Sequence, residues 1–176
     1  MNRVISVSVN NKAGVLNRIT ALFMRKGFNI QNLTVGVTET PGLSRITIVM
    51  NETDDAALEQ VIKQLYKQID VLKVTDLTQQ PMVARELALI QVNSPVSQRS
   101  AITTIIEPFR ASIIDVGRDT ITVEATGKAE KIDALIALLR PYGIKELART
   151  GLTALARDVA TVTEARRVSE GNVISI

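Results

Sequence analysis

The chain has 176 residues, 45% of them apolar, with 21 basic and 18 acidic side chains and a net charge of +3. It contains no cysteine and no histidine, which excludes disulfides, thiol nucleophiles, zinc-finger spacing and serine–histidine catalysis within it. The charge is spread evenly: nine basic and seven acidic residues in 1–80, nine and eight in 81–150, three and three in 151–176. A nucleic-acid footprint needs clustering that is missing here.

The first strand is RVISVSVN, where alternation puts Ile5, Val7 and Val9 on one face. NNKAG then turns the chain into a helix with Val15, Ile19, Leu22 and Phe23 at spacings of three and four. Lys26-Gly27 ends it, with glycine as the C-terminal stop. FNIQNLTVGV reads as a strand with a phase break. Phe28 and Ile30 point one way, and Leu33, Val35 and Val37 run out of register with them, so a bulge is expected near Gln31-Asn32. TETPG is a turn and LSRITIVM a strand. DDAALEQVIKQLYKQ is a helix with core positions Leu58, Val61, Ile62 and Leu65, and Asp54 and Asp55 favour its N-terminus through the dipole. DVLKVTDL closes the unit.

TQQPMVA reads as a linker, and the order then returns. RELALIQVN is a strand. SQRSAITTIIEPF is a helix carrying Ile102, Ile105, Ile106 and Phe109, with Pro108 straining its last turn. ASIIDVG and DTITVEAT form a hairpin. KAEKIDALIALLR is a helix with Ile132, Leu135, Ile136 and Leu139, stopped by Pro141, and GIKELART is the last strand. Strand-helix-strand-strand-helix-strand, twice, is an α+β chain of two tandem ferredoxin-like βαββαβ domains. The expected division is 1–78, a linker at 79–84, a second domain at 85–158 and a C-terminal tail at 159–176. LTALARDVATVTEARRV has weak helical spacing, and about the last dozen residues read as a frayed end.

A unit of this size buries only roughly 60% of its unfolded surface, and helices cover one face of each sheet while strand edges stay open. Both features favour a homodimer; a monomer with blunted edges is the other outcome. No stretch approaches the roughly 20 apolar residues of a membrane span, and the start of the chain lacks signal-peptide features, so no membrane association and a cytoplasmic location are expected.

The asparagine-glycine turn raises the functional question. A helix start presents unpaired N–H groups and partial positive charge, which attract a carboxylate. Gly14 has no side chain to block approach, and Asn11 offers both donor and acceptor. Such a turn can hold a free amino acid by its two charged ends. If the second strand is the dimer edge, Asn29 and Ile30 of one subunit face the Asn11–Gly14 turn of the other. The same residues also serve simply as a cap and a turn.

These residues resemble a known family. NKAGVLNRITALFMRKGFNIQNLTVG and LSRITIVM are similar to the N-terminal ACT domain of the small, regulatory subunit of acetolactate synthase, also called acetohydroxyacid synthase. The likeness continues through IDVLKVTDL, FRASIIDV and LARTGLTALAR, to about residue 158. It implies a non-catalytic subunit that binds a large catalytic subunit carrying thiamine diphosphate, Mg²⁺ and FAD, activates it and confers feedback inhibition by valine. The partner joins pyruvate to pyruvate or 2-oxobutyrate on the way to branched-chain amino acids. The implied effector residues are Asn11, Lys12, Ala13, Gly14, Val15, Asn29 and Ile30. No catalytic, metal-binding or cofactor-binding residue is expected in this chain. Residues 31–45 are the candidate surface for the catalytic subunit.

Other readings fit less well. An RNA-recognition module of this topology stacks bases on central-strand aromatics, whereas aromatics here are 3% and LSRITIVM has none. A metal chaperone would need cysteines. Asp54-Asp55, read as a helix start, is no acid–base pair for a stand-alone enzyme. An ACT-type amino-acid sensor acting on a different enzyme is the remaining alternative.

Overall fold

The structure, a computed structural model, describes residues 2–51 and 54–158. The expected tail, 159–176, lies outside the described residues.

The alternating start forms β1 (Asn2–Asn10), with Ile5, Val7 and Val9 buried. In α1 (Val15–Lys26) the buried residues are Val15, Ile19, Leu22 and Phe23, the stripe that the spacing gives. Gly27 stops the helix in the left-handed region, at φ +73°. The phase break in β2 (Ile30–Val37) is a bulge: Ile30 pairs with Met50 and Asn32 with Val49, leaving Gln31 extra. The inserted residue lets both Ile30 and Leu33 reach the core despite their odd spacing. β3 (Leu43–Asn51) leads to α2 (Asp55–Tyr66), which buries Leu58, Val61 and Leu65, and β4 (Val71–Asp76) follows.

The Asp54 carboxylate caps α2, accepting the Ala56 N–H at 2.9 Å. Asp54→Ala is therefore expected to lower stability by about 1 kcal/mol in urea unfolding, with no change in fold.

The first sheet has the order β2-β3-β1-β4, antiparallel throughout, with α1 and α2 on one face. The second unit repeats it. β5 (Met82–Asn93), α3 (Arg99–Ile106), β6 (Ser112–Val116), β7 (Thr120–Gly127), α4 (Ala129–Leu139) and β8 (Ile144–Arg149) build a sheet ordered β6-β7-β5-β8. All four apolar positions of α4 are buried. The two prolines tighten the helix ends into 3₁₀ turns at Glu107–Phe109 and Arg140–Tyr142.

Two expectations are corrected. The supposed linker 79–84 is strand from Met82 onward, because β5 starts there. In the segment with helical spacing after Gly151, the described part to residue 158 holds a strand, β9 (Thr153–Ala156), paired with the first half of β5 from Met82↔Ala156 to Arg85↔Thr153, while the rest lies outside the described residues. Leu152 and Leu155 stand three apart as on a helix. Only Ala154, between them, is fully buried, and Leu155 stays half-exposed. The β5–β9 ribbon lies on the outer face of the first sheet, where Val4, Val49, Leu77 and Ala154 form a small core with Met82, Ala84 and Leu152. The first sheet is thus covered on both faces, by its own helices and by the second unit.

Among the described residues, no helix is long and apolar enough to cross a membrane.

Candidate functional site

The Asn11–Gly14 turn joins β1 to α1 at the end of the sheet where the β2–β3 hairpin closes. The Asn11 N–H donates to the Gly42 carbonyl at 2.7 Å, tying the turn to the hairpin. Asn11, Lys12, Ala13 and Gly14 are exposed. Gly14 is the helix cap, at φ +81°, a left-handed conformation that glycine adopts without strain and that leaves no side chain over the helix start. The N–H groups of Ala13, Gly14, Leu16 and Asn17 have no backbone acceptor among the described residues. These are the open donors an anion would use. Val15 is different: its N–H donates to the Lys12 carbonyl and its side chain is in the core, so it positions the helix start and offers no donor.

Asn29 and Ile30 lie elsewhere in the same chain. Ile30 is level with Met50, which pairs with Arg3 at the start of β1, whereas the turn follows Asn10 at the far end. From Arg3 to Asn10 the strand runs seven residue steps, roughly 23 Å. One chain does not bring the two groups together. Asn29 is exposed beside the start of an edge strand, since among the described residues β2 pairs only with β3.

Asn10, Arg18, Ile69 and Asp70, none of them among the implied effector residues, also belong to the turn. Asp70, just before β4, is buried, with its side chain 9% exposed. Its carboxylate takes an ion pair from Arg18, lies 3.8 Å from the Lys12 ammonium and accepts Asn10 Nδ2 at 3.4 Å. Its backbone carbonyl accepts the Asn10 N–H at 2.9 Å. Asn10, Lys12, Ala13, Arg18, Ile69 and Asp70 line a cleft of about 540 Å³. Arg18 follows Gly14 by one helical turn, a signal the sequence did carry. Nothing local ties Asp70 to it, 52 residues away.

Of the candidate partner surface 31–45, the first part is taken up within the chain. Asn32 Oδ1 accepts the Leu152 N–H, and Thr34 Oγ1 donates to the Leu152 carbonyl, both at 3.0 Å. A second cleft, of about 620 Å³, opens beside them between the two units. On its far wall Arg149 pairs with Glu86 and Asp133. Burial works against the Arg149 charge, but hydrogen bonds to the two carboxylates outweigh it and hold the pKa above its ordinary value.

Two βαββαβ units in tandem, the first with an open, glycine-capped helix start, make this a protein of the ACT-like fold. Comparison with known proteins gives the family. The description "AHAS small subunit-like ACT domain" matches residues 5–73, and "Small subunit of acetolactate synthase" matches 85–158. The chain is 56% identical to the acetolactate synthase small subunit of Bacillus subtilis, over 100% of its length and 99% of that protein. It is 52% identical to a probable acetolactate synthase small subunit of Methanothermobacter thermautotrophicus, over 90% and 95%. The crystal structure of the acetolactate synthase small subunit from Thermotoga maritima matches with a TM-score of 0.83 at 42% identity, over 90% of this chain and 98% of that one. The chain belongs to the acetolactate synthase small-subunit family. It is a non-catalytic regulatory subunit, whose partner is the catalytic large subunit.

Proposed function

We propose that this regulatory subunit senses a branched-chain amino acid, valine, and passes feedback inhibition to the large subunit. The effector carboxylate sits on the free N–H groups of the Asn11–Gly14 turn, and Asn29 and Ile30 of a second copy close the other side. The observation that carries this reading is the separation of the two groups within one chain. β2 is an edge strand, with Val35 and Val37 exposed on it. Two copies paired antiparallel through β2 would bring the start of one strand beside the end of the other, next to the turn. The site is then completed by dimerisation, and effector binding is linked to assembly.

The magnitudes suit a metabolite sensor. Burying an isopropyl group contributes roughly 1.5–3 kcal/mol. A carboxylate at a helix start adds about 0.3–1 kcal/mol, or ~2 when partly buried. Charge-assisted hydrogen bonds contribute about 1.5–3 kcal/mol each, and ordering costs reduce the total to micromolar–millimolar affinity. One methylene is worth only roughly 1–3 kcal/mol, so leucine and isoleucine bind more weakly rather than not at all.

The catalytic partner carries thiamine diphosphate, Mg²⁺ and FAD in this reading, and the complex works in the cytoplasm. Residues 38–45, the hairpin turn and the start of β3 beyond the β2 seam, are the part of the candidate surface left to meet it.

The test is reconstitution. The large subunit is assayed for acetolactate formation alone, with this chain, and with this chain plus valine. The expected result is activation by the chain and inhibition by valine, with valine raising the melting temperature of the isolated chain by several degrees. Equal activity in all three assays would refute the reading.

A further inference from the structure

We propose that Arg18, held in place by Asp70, is the group that makes the turn select a free carboxylate. The inference rests on the proposed effector site and names its specificity residue. The Arg18 side chain is 47% exposed, yet its guanidinium is not loose: one terminal nitrogen is committed to Asp70, whose carboxylate is buried. The other terminal nitrogen stands over Gly14, 3.4 Å from where a Cβ would be. That is the space glycine leaves open above the helix start. A carboxylate seated on the turn's N–H groups therefore meets an N–H of Arg18 at the same time. The fork geometry of guanidinium suits two such partners at once, one on each arm.

The charge balance points the same way. Asp70 is one carboxylate facing two cations, Lys12 and Arg18. The cluster carries a local excess of one positive charge, beside a helix start that adds partial positive charge of its own. A ligand carboxylate neutralises that excess; an amide cannot. Asp70 acts through Arg18: without it the guanidinium loses its anchor and swings among rotamers, which costs affinity through ordering on binding. Lysine in place of Arg18 keeps the charge but not the fork.

The experiment compares L-valine with L-valinamide, which keeps the ammonium and side chain but has no carboxylate, by calorimetric titration of the full chain. The parent chain is expected to bind valine and to bind valinamide about 10- to 100-fold more weakly, the size of one lost charge-assisted contact. Arg18→Gln is expected to lose that preference, so that the two ligands bind within about threefold of each other. Asp70→Asn is expected to weaken valine about 10-fold, and the double variant to be no weaker than Arg18→Gln alone, since Asp70 works through Arg18. A merely structural role would weaken both ligands together. If Arg18→Gln keeps the parent's preference, or weakens both ligands alike, the inference fails while valine binding by the parent chain still supports the turn. If the parent binds neither ligand, the turn reading and this inference both fail.

Discussion

Replacing Gly14 by aspartate is expected to abolish the rise in melting temperature that valine produces, and valine inhibition of the reconstituted enzyme, while the fold survives. The new carboxylate would occupy the space above the helix start, satisfy the turn's free donors and draw in Arg18, whose nearest nitrogen is 3.4 Å from the position of the added Cβ. An effector carboxylate would then meet bulk and like charge where it meets open donors now. The cost to folding is limited. A side chain at φ +81° is strained by about 1–2 kcal/mol, but aspartate tolerates that region better than most residues and is a good helix cap. At a ligand concentration 100 times Kd the parent gains about 2.7 kcal/mol. For a chain of this size that is a rise of roughly 5–10 °C. Gly14→Ala is the control, since it introduces the same backbone strain without charge. Valine should still raise its melting temperature, by less than in the parent. A parent-like valine response from Gly14→Asp would remove the turn as the effector site.

Gly151→Ala is expected to be the more damaging change to stability, although it is far from the turn. Gly151 sits at φ +81°, and a Cβ there would collide with the whole side-chain amide of Asn32. Asn32 cannot move freely, because it accepts the Leu152 N–H, and the Leu152 carbonyl is held by Thr34. These bonds dock the second unit onto β2. Backbone strain of about 1–2 kcal/mol adds to the loss of two hydrogen bonds at about 0.5–1.5 kcal/mol each. The expected total is about 3–4 kcal/mol, a fall in melting temperature of roughly 10 °C. Loss of docking should also split one unfolding transition into two. Gly42→Ala separates strain from collision: Gly42 has φ +80° and open space around it. It should cost only about 1–2 kcal/mol. If Gly151→Ala proves no worse than Gly42→Ala, the contact with Asn32 does not hold the units together.

Asn32 is three residues beyond Asn29, on the same bulged start of β2. A hydrogen bond from the Leu152 N–H to Asn32 thus ties the second unit's backbone to the strand that begins beside Asn29.

How much was legible from sequence differs by element. The α1 stripe, the Gly27 stop and the β2 bulge were all readable, because each is written in residues within one or two turns of each other. The bulge is the clearest case: the change of phase at Gln31-Asn32 cannot be satisfied by a straight strand with one buried face. β9 was not readable. Its four residues carry too short an alternation to outvote the three-residue spacing of Leu152 and Leu155, and what makes it a strand is the waiting edge of β5. In the candidate site, Asn11 to Gly14 were marked by glycine and asparagine at a helix start. Asp70 was not, since a lone aspartate before a strand has no local signature of the cations it will meet.

The sequence alone therefore determined the two βαββαβ repeats, their core faces and the open turn, because periodicity and caps are local properties of the chain. Tertiary structure alone decided that β5 and β9 cover the first sheet, that Gly151 packs on Asn32, and that Asp70 gathers Lys12 and Arg18. It also put the turn and Asn29 at opposite ends of one sheet. Those facts depend on which segments meet in space, and contacts between residues 50 to 120 apart are set by the packing of whole sheets rather than by any pattern nearby.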